Sequence, residues 1–478
     1  MMPQTGGVQH RLLHLLSRLG PPYVLILLLS SCSHPQATTA LAPRSSCAIV
    51  GSRSPAPGDT LSVAATTPID QSHAPAPRNA AERLAFAQLY ETLINVDCEA
   101  HVYPGLAKSW TLDDSRTRIT LTIRNGAQFW NGKPVVAADV VASWRATGAQ
   151  TSEASNLARR MADAATIVDD HTLTVSLPDT TWRTLADPAL AVYQPQSGPA
   201  WPDGTARYQP TEPSAGREPG PLLLTPRPST GDPYIAIRPL PTRDARDAID
   251  AGVDLLVTDD PVVVSYAETR SSHGIVPLPW SRTYVLAVPA FGAADAQVLH
   301  PILGDSSTPF RVSLARDAVR ADARTAEAPY WWSGSQSCGS LAPPGTPARR
   351  SEERPLRIAF DSRDRIARQL AERLAVLGRR AVALPLSTDT FARALHGGSE
   401  PAFVIALPRA SLDPCYDAAK LAATAPWLPP ASGQGQSAPA TIIPLIDTRD
   451  RAIVKRNRIS ATIDWDGTLR LGGLPRAP

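Results

Sequence analysis

Arg409, in the run Leu407-Pro408-Arg409-Ala410-Ser411-Leu412-Asp413-Pro414, sets a guanidinium just ahead of a turn-forming Asp-Pro pair. Such a group either grips a carboxylate or phosphate through paired hydrogen bonds or lies in solvent on a loop. Trp331 and Trp332, preceded by Tyr330, offer flat rings able to stack on a ligand. Both are binding chemistries. Catalysis has little to stand on: none of the nine histidines sits in a His-Glu-x-x-His, no Gly-x-Ser-x-Gly elbow occurs, and the aspartates are scattered. The stretch Gly126 to Lys133 has one residue too many between its glycines for a phosphate loop, and Pro134 follows the lysine. The expectation is a protein that binds, with no enzyme activity, cofactor or metal.

The cysteines point to export. Arg11 and Arg18 precede the apolar run Val24 to Leu29, which leads into Leu29-Ser30-Ser31-Cys32. A basic region, a short apolar core and small residues describe a secretory signal over residues 1–31, too short in its core to remain as a spanning helix. The residues before the cut resemble a lipobox, so Cys32 is expected to be the lipid-modified first residue of the mature chain; the alternative is an ordinary cleaved signal with an incidental cysteine. Residues 32–57, rich in Ser, Pro, Ala and Thr, then read as a flexible tether. Cys47, Cys98, Cys338 and Cys415 lie far apart, without the short paired spacing of a zinc site. An exported compartment permits them to pair, in any of three connectivities.

Length and charge narrow the rest. The 478 residues suffice for two or more cores with a cleft between them. A net charge of +3, with arginines that form no stripe, argues against a nucleic-acid partner. The 48 prolines imply many loops, the densest at 196–232 and 333–354.

Periodicity supplies the elements that must position these groups. Phe86, Leu89, Tyr90 and Leu93 recur at helical spacing, Pro104-Gly105 punctuates, and Ile119, Leu121 and Ile123 alternate as a half-buried strand ending at Asn125-Gly126. Pro134 suits a first helical position, with Val136, Val140 and Trp144 one face behind it. Leu61 to Val63 and Leu173 to Leu177 read as strands. Ile235 and Ile237, then Asp244 to Ala251, then Val253 to Thr258 read as strand, helix and strand in a parallel crossover. Leu356 to Phe360, a helix stripe from Ile366 to Leu377, Val382 to Leu386, a helix near Phe391 to Leu395 and the apolar run Phe403 to Leu407 make a second α/β unit. Trp130, Trp144, Trp182 and Trp465 read as packing residues.

The order helix, Pro-Gly turn, strand, Phe129-Trp130-Asn131-Gly132-Lys133-Pro134 and helix over residues 81–145 resembles the signature of the extracellular solute-binding proteins of the peptide/nickel type, family 5. The resemblance implies an α/β, two-lobe fold of the periplasmic-binding-protein type (type II, a Venus flytrap) with mixed sheets and an interlobe cleft. The lobes would span 58–305 and 306–438, with residues 439–478 returning to the first and hinge crossings near 300–310 and 435–442. Thr184 to Leu190 is similar to the family's helix beside the ligand, and Ile463 to Gly467 to its closing segment. Pairing Cys47 with Cys98 and Cys338 with Cys415 keeps each bond within one lobe, and relatives carry a disulfide near the position of Cys415. The implied activity is capture of a small, peptide-like solute for an ABC permease. Peptide-binding relatives hold the ligand's α-amino group with an aspartate three residues before an Asp-Pro; Asp413 matches that ending, but Ala410 stands at the anchoring position. The resemblance adds Ala410 and Asp413 to the candidate site residues Trp331, Trp332 and Arg409 read from residue type. The missing anchor and a faint Phe310 to Ala315 segment motivate a rival, a degenerate relative serving as a surface scaffold or sensory partner. An exported hydrolase using the cleft ranks last.

Overall fold

In the computed structural model, the described residues are 45–51, 56, 58–150, 154–177, 181–195, 201–211, 220–228, 230–240, 244–289, 313–314, 323–325, 355–377, 381–409, 411–412, 417, 421–427 and 441–472. The strand Thr60–Ala65 sends Leu61 and Val63 to one face and Ala64 to the other. It lies between two parallel neighbours, Tyr234–Pro239 and Leu255–Thr258, with Ile235 opposite Leu61 and Leu255 opposite Val63. The helix Ala245–Asp250 makes the crossover and ends before Gly252, whose φ of 76° most side chains avoid. The expected strand, helix and strand are thus present. The helix Ala80–Leu89 covers the other face of the sheet.

A second layer of this lobe is an antiparallel sheet of four strands, Ala107–Leu112, Arg118–Ile123, Thr172–Ser176 and Ala165–Ile167. The helices Ala137–Gly148 and Ala154–Ala164 pack on it around Trp144, which is fully buried and donates its ring N–H to the Leu190 carbonyl at 2.9 Å.

Two signature expectations shift. The first helix stops at Leu89, and Leu93 belongs to the next segment, because its carbonyl accepts from Gly105 and Ala107. Gly105 is required there: a Cβ would lie 2.3 Å from the Thr92 carbonyl oxygen. Pro134 is not the first helical residue either. It bridges Gln128, and the helix begins at Ala137, where the Asp139 carboxylate accepts from the Val136 N–H at 2.9 Å.

In the second lobe Leu356–Asp361 lies between the parallel strands Ala381–Leu386 and Ala402–Pro408. The apolar run divides between two cores. Val404 faces Ile358 and the helix Arg365–Leu377, while Phe403, Ile405 and Leu407 face the side of the helix Thr388–Gly397. Each fully buried large apolar side chain of this kind contributes about 1.5–3 kcal/mol.

The lobes meet in a continuous ribbon. His273–Val288 and Thr441–Lys455 pair antiparallel from end to end, joining both lobes in one eleven-stranded sheet. The early residues of the first strand pair beside the first-lobe sheet, and Arg282 to Ala287 pair with Ala402–Pro408 of the second. Tyr284, Leu286, Val288, Leu445 and Ile446 pack in the second-lobe core. Among the described residues, the ribbon passes from the first-lobe sheet to the second near 277–283 and 447–451. Its register slips between Pro277, Trp280 and Arg282, where Pro277 and Pro279 have no N–H to give the ladder.

Two further expectations are corrected. The segment placed in a tether folds in part, since Ala48–Ile49 pairs with Ala461–Ile463 and buried Cys47 is disulfide-bonded to Cys98. The proline-rich stretch 196–232 contains the strands Tyr208–Pro210 and Leu222–Pro226, because Leu222 to Leu224 supply apolar residues between the turn formers. The lobe connection sought at 300–310 and residues 333–354 lie outside the described residues.

Candidate functional site

The first turn of the helix Ala80–Leu89 brings Asn79, Ala80, Arg83 and Leu84 to the boundary between the lobes. Asn79 caps the helix by accepting from the Glu82 N–H at 2.9 Å, and Glu82 in turn accepts from the Arg78 N–H at 2.7 Å. Beside this turn stand Asp187, Pro188 and Ala189 from the short 3₁₀ turns, and the hairpin end Asp466 to Leu469. Ser281, Arg282 and Asp450 of the ribbon form the floor, and the end of the second-lobe strand contributes Ala406, Pro408 and Arg409. Together they enclose a cavity of about 340 Å³ lined by both lobes, at the small end of the roughly 300–1,000 Å³ of ligand pockets.

The charges of this cavity are arranged in pairs. Arg83 donates to Asp466 at 2.8 Å, and Asp466 also accepts from the Thr468 N–H at 2.9 Å. Arg282 donates to Asp259 and lies 3.5 Å from Asp450. Burial works against the Arg282 cation, but the two carboxylates outweigh it and raise its pKa above the ordinary guanidinium value. Burial also raises Asp450, against the pull of Arg282.

Asp187 bridges the lobes. Its Oδ1 accepts from the Ala189 N–H at 3.0 Å, and its Oδ2 accepts from the Ser411 hydroxyl and, at 3.3 Å, from the Leu412 N–H. Ser411 is fully buried by this docking. Loss of water pushes the Asp187 carboxyl up to about 6, even though the hydrogen bonds from Ser411 and Ala189 and the charge of Arg83 oppose the shift. Nearby, the Arg409 guanidinium lies over the Trp465 ring, 5.4 Å from its centroid, again across the cleft. A third cross-lobe contact pairs Arg365 with Asp260 at 3.7 Å.

Among the described residues no group of three or more His, Cys, Asp or Glu is placed to hold a metal, and no helix is long and apolar enough to cross a membrane. The arrangement suits enclosure of a small polar solute whose charges meet fixed partners on two bodies.

Residues 101–217 match the family described as bacterial extracellular solute-binding proteins, family 5, middle part. A probable peptide ABC transporter periplasmic-binding protein of Sinorhizobium fredii is 32% identical over 117 residues, 24% of this chain. That alignment spans 20% of the relative's own length. Solved structures carry the likeness further, at the level of the fold. The murein tripeptide binding protein of Escherichia coli superposes with a TM-score of 0.58 at 16% identity, over 83% of this chain and 94% of that one. A dipeptide binding protein of Pseudoalteromonas, solved with Met-Leu, gives 0.63 at 12% identity, over 86% and 98%. The mixed α/β, two-lobed family 5 fold expected from the signature residues is the fold of this chain.

Of the site residues read from the sequence, Arg409 lines the cleft. Trp331, Trp332, Ala410, Asp413, Cys32, Cys338 and Cys415 lie outside the described residues. Trp130, Trp144 and Trp182 pack against Tyr90, the Leu190 carbonyl and Trp110 respectively. Trp465 packs in the core as expected, but its ring also carries Arg409. Sequence reading missed Arg78, Arg83, Asp187, Asp450, Asp466 and Thr468. Two faint signals existed: Asp187-Pro188 and Asp466-Gly467 are turn dipeptides within segments already singled out for family likeness.

Proposed function

We propose that this protein is the solute-capturing component of an ABC importer, exported and held at the outer face of a bacterial membrane by lipid on Cys32. It closes two lobes on a small solute, peptide-like by kinship, and presents the closed form to a permease. The observation that carries this reading is the cavity built from both lobes, with the crossing ribbon as its floor. A ligand touching both lobes favours the closed state by as much as it binds that state better, which is the signal an importer requires.

The test is thermal unfolding of the purified protein against peptides, amino acids, sugars and nickel chelates. A ligand held only by the native state raises the melting temperature in a saturable way. One class doing so supports the reading, and a flat response across the panel counts against it. The rival reading, a surface scaffold or sensory partner without transport, draws on the docking of Ser411 and Leu412 on Asp187, which closes part of the cleft with the protein's own groups.

A further inference from the structure

We infer that Asp187, Ser411 and Leu412 form a proton-sensitive latch that holds the two lobes shut with no solute between them and releases as the pH rises to neutral. Such a latch acts on the solute-free protein, beyond the solute-binding reading. Its parts come from opposite sides of the cleft. Asp187 caps the 3₁₀ turn Pro188–Leu190, which fixes its carboxylate on the first lobe with Oδ1 accepting from the Ala189 N–H at 3.0 Å. Oδ2 accepts from the second lobe, from the Ser411 hydroxyl and the Leu412 N–H. The Leu412 side chain packs against the first-lobe core that holds Trp144 and Leu190, so polar and apolar contacts seat the same two residues. In this seat Asp187 is 4% exposed and Ser411 is fully buried.

A carboxylate so placed has lost its water, and burial pushes Asp187 up to about 6. Parting the lobes returns water to it and lets it fall toward its ordinary 3.8. The shut form therefore holds the proton more tightly; the proton's contribution to closure is fully present below the lower value and is lost as pH rises through about 6. From pH 7.5 to pH 5 the ratio of shut to open protein should rise about tenfold. The charges around the seat leave this sign unchanged. Arg83 of the helix Ala80–Leu89 opposes burial more weakly, and it donates to Asp466 of the hairpin end. Arg183, on the turn before Asp187, lies over the Trp182 ring, and Arg78 lines the cavity ahead of the helix. From the second lobe come Arg409, over Trp465, and Asp417, which accepts from the Ser411 N–H at 3.4 Å. Asp464, also raised to about 6 by burial, keeps Tyr103 and Arg470 within the first lobe whether the lobes are shut or open. Asp450, raised by burial beside Arg282 on the ribbon, is a second group able to respond to opening, and the test separates the two.

Solution scattering and amide exchange are measured on the solute-free full chain at pH 5 and pH 7.5. The expected result is a larger radius of gyration at pH 7.5, with protection of the Leu412 amide about tenfold lower once the intrinsic pH dependence of exchange is removed. Asp187→Asn should abolish both responses, and Asp450→Asn should keep both. Near-ultraviolet circular dichroism like that of the parent shows that each variant is folded. Should Asp187→Asn fail that check, Ser411→Ala carries the test: its radius at pH 5 should move toward the parent's value at pH 7.5. Equal radius and protection at the two pH values overturn the latch. So does a pH response that survives Asp187→Asn, one lost in Asp450→Asn alone, or an unmoved radius in Ser411→Ala. Solute binding is decided separately by the melting screen, so the failure of either reading is told apart from the failure of the other.

Discussion

The two lobes meet the cleft with unequal equipment. The first brings a capped helix, the 3₁₀ turns, a hairpin end and a second sheet behind them, and its cleft charges are fixed by their own neighbours, as Arg83 is by Asp466. Among the described residues, the second brings one strand end and the few residues after it: Arg409, Ser411 and Leu412. The difference separates a prebuilt platform from a small clamp. Affinity then rests on the platform, whereas closure rests on a handful of second-lobe contacts that the ribbon carries into place.

Breaking the platform should have the largest effect. Trp144→Ala removes a fully buried indole and should cost about 3–5 kcal/mol in a urea titration. Because Trp144 and the second-lobe residues belong to separate apolar clusters, amide exchange in Leu356–Asp361 should stay slow at denaturant levels that release Arg118–Ile123. Simultaneous release would mean that the lobes unfold as one unit.

The bridge between the lobes comes next. Asp187 titrates near 6 in the fold against an ordinary value near 3.8, so its contribution is fully present below the lower value and is lost as pH rises through about 6. Asp187→Asn should therefore gain on the parent protein between about pH 4 and pH 7, by at most ~3 kcal/mol. Asp464 is also raised to about 6 by burial and cancels in that difference, since both proteins keep it. A pH-independent difference would show that Asp187 is not the titrating group.

The smallest effect is expected from Ser411→Ala. One hydrogen bond across the cleft is lost while the Leu412 N–H still reaches Asp187, so stability should fall by only about 1 kcal/mol. The radius of gyration in solution scattering should nevertheless increase, since this hydrogen bond belongs to one of three cross-cleft contacts among the described residues. An unchanged radius would move the closing contacts to Arg365–Asp260 and Arg409–Trp465.

What the sequence revealed follows from how local each signal is. Alternation at Ile119, Leu121 and Ile123 and the apolar run Phe403 to Leu407 were readable because burial of one or both strand faces leaves a periodic trace. The ends of the first two helices were not, since carbonyl acceptance by Leu93 and the Asp139 cap are set by neighbours rather than by period. The lobe crossing left no local signal, because the strand His273–Val288, which serves two cores, looks in sequence like an ordinary strand. The site was least legible. Arg409 stood out by residue type, but its facing groups Arg78, Asp187 and Trp465 lie hundreds of positions away or nearby only in space, and no spacing rule links them.

The Cys47–Cys98 bond determines where an external load enters the molecule. Cys98 also donates its backbone N–H to Ile463 at 3.0 Å, so the bonded point is riveted into the first lobe. Tension arriving from upstream of Cys47 is delivered to that lobe alone and does not pass through the crease in the ribbon. The first lobe is then the frame and the second is the jaw, and a pull applied ahead of Cys47 leaves the opening angle between them unchanged.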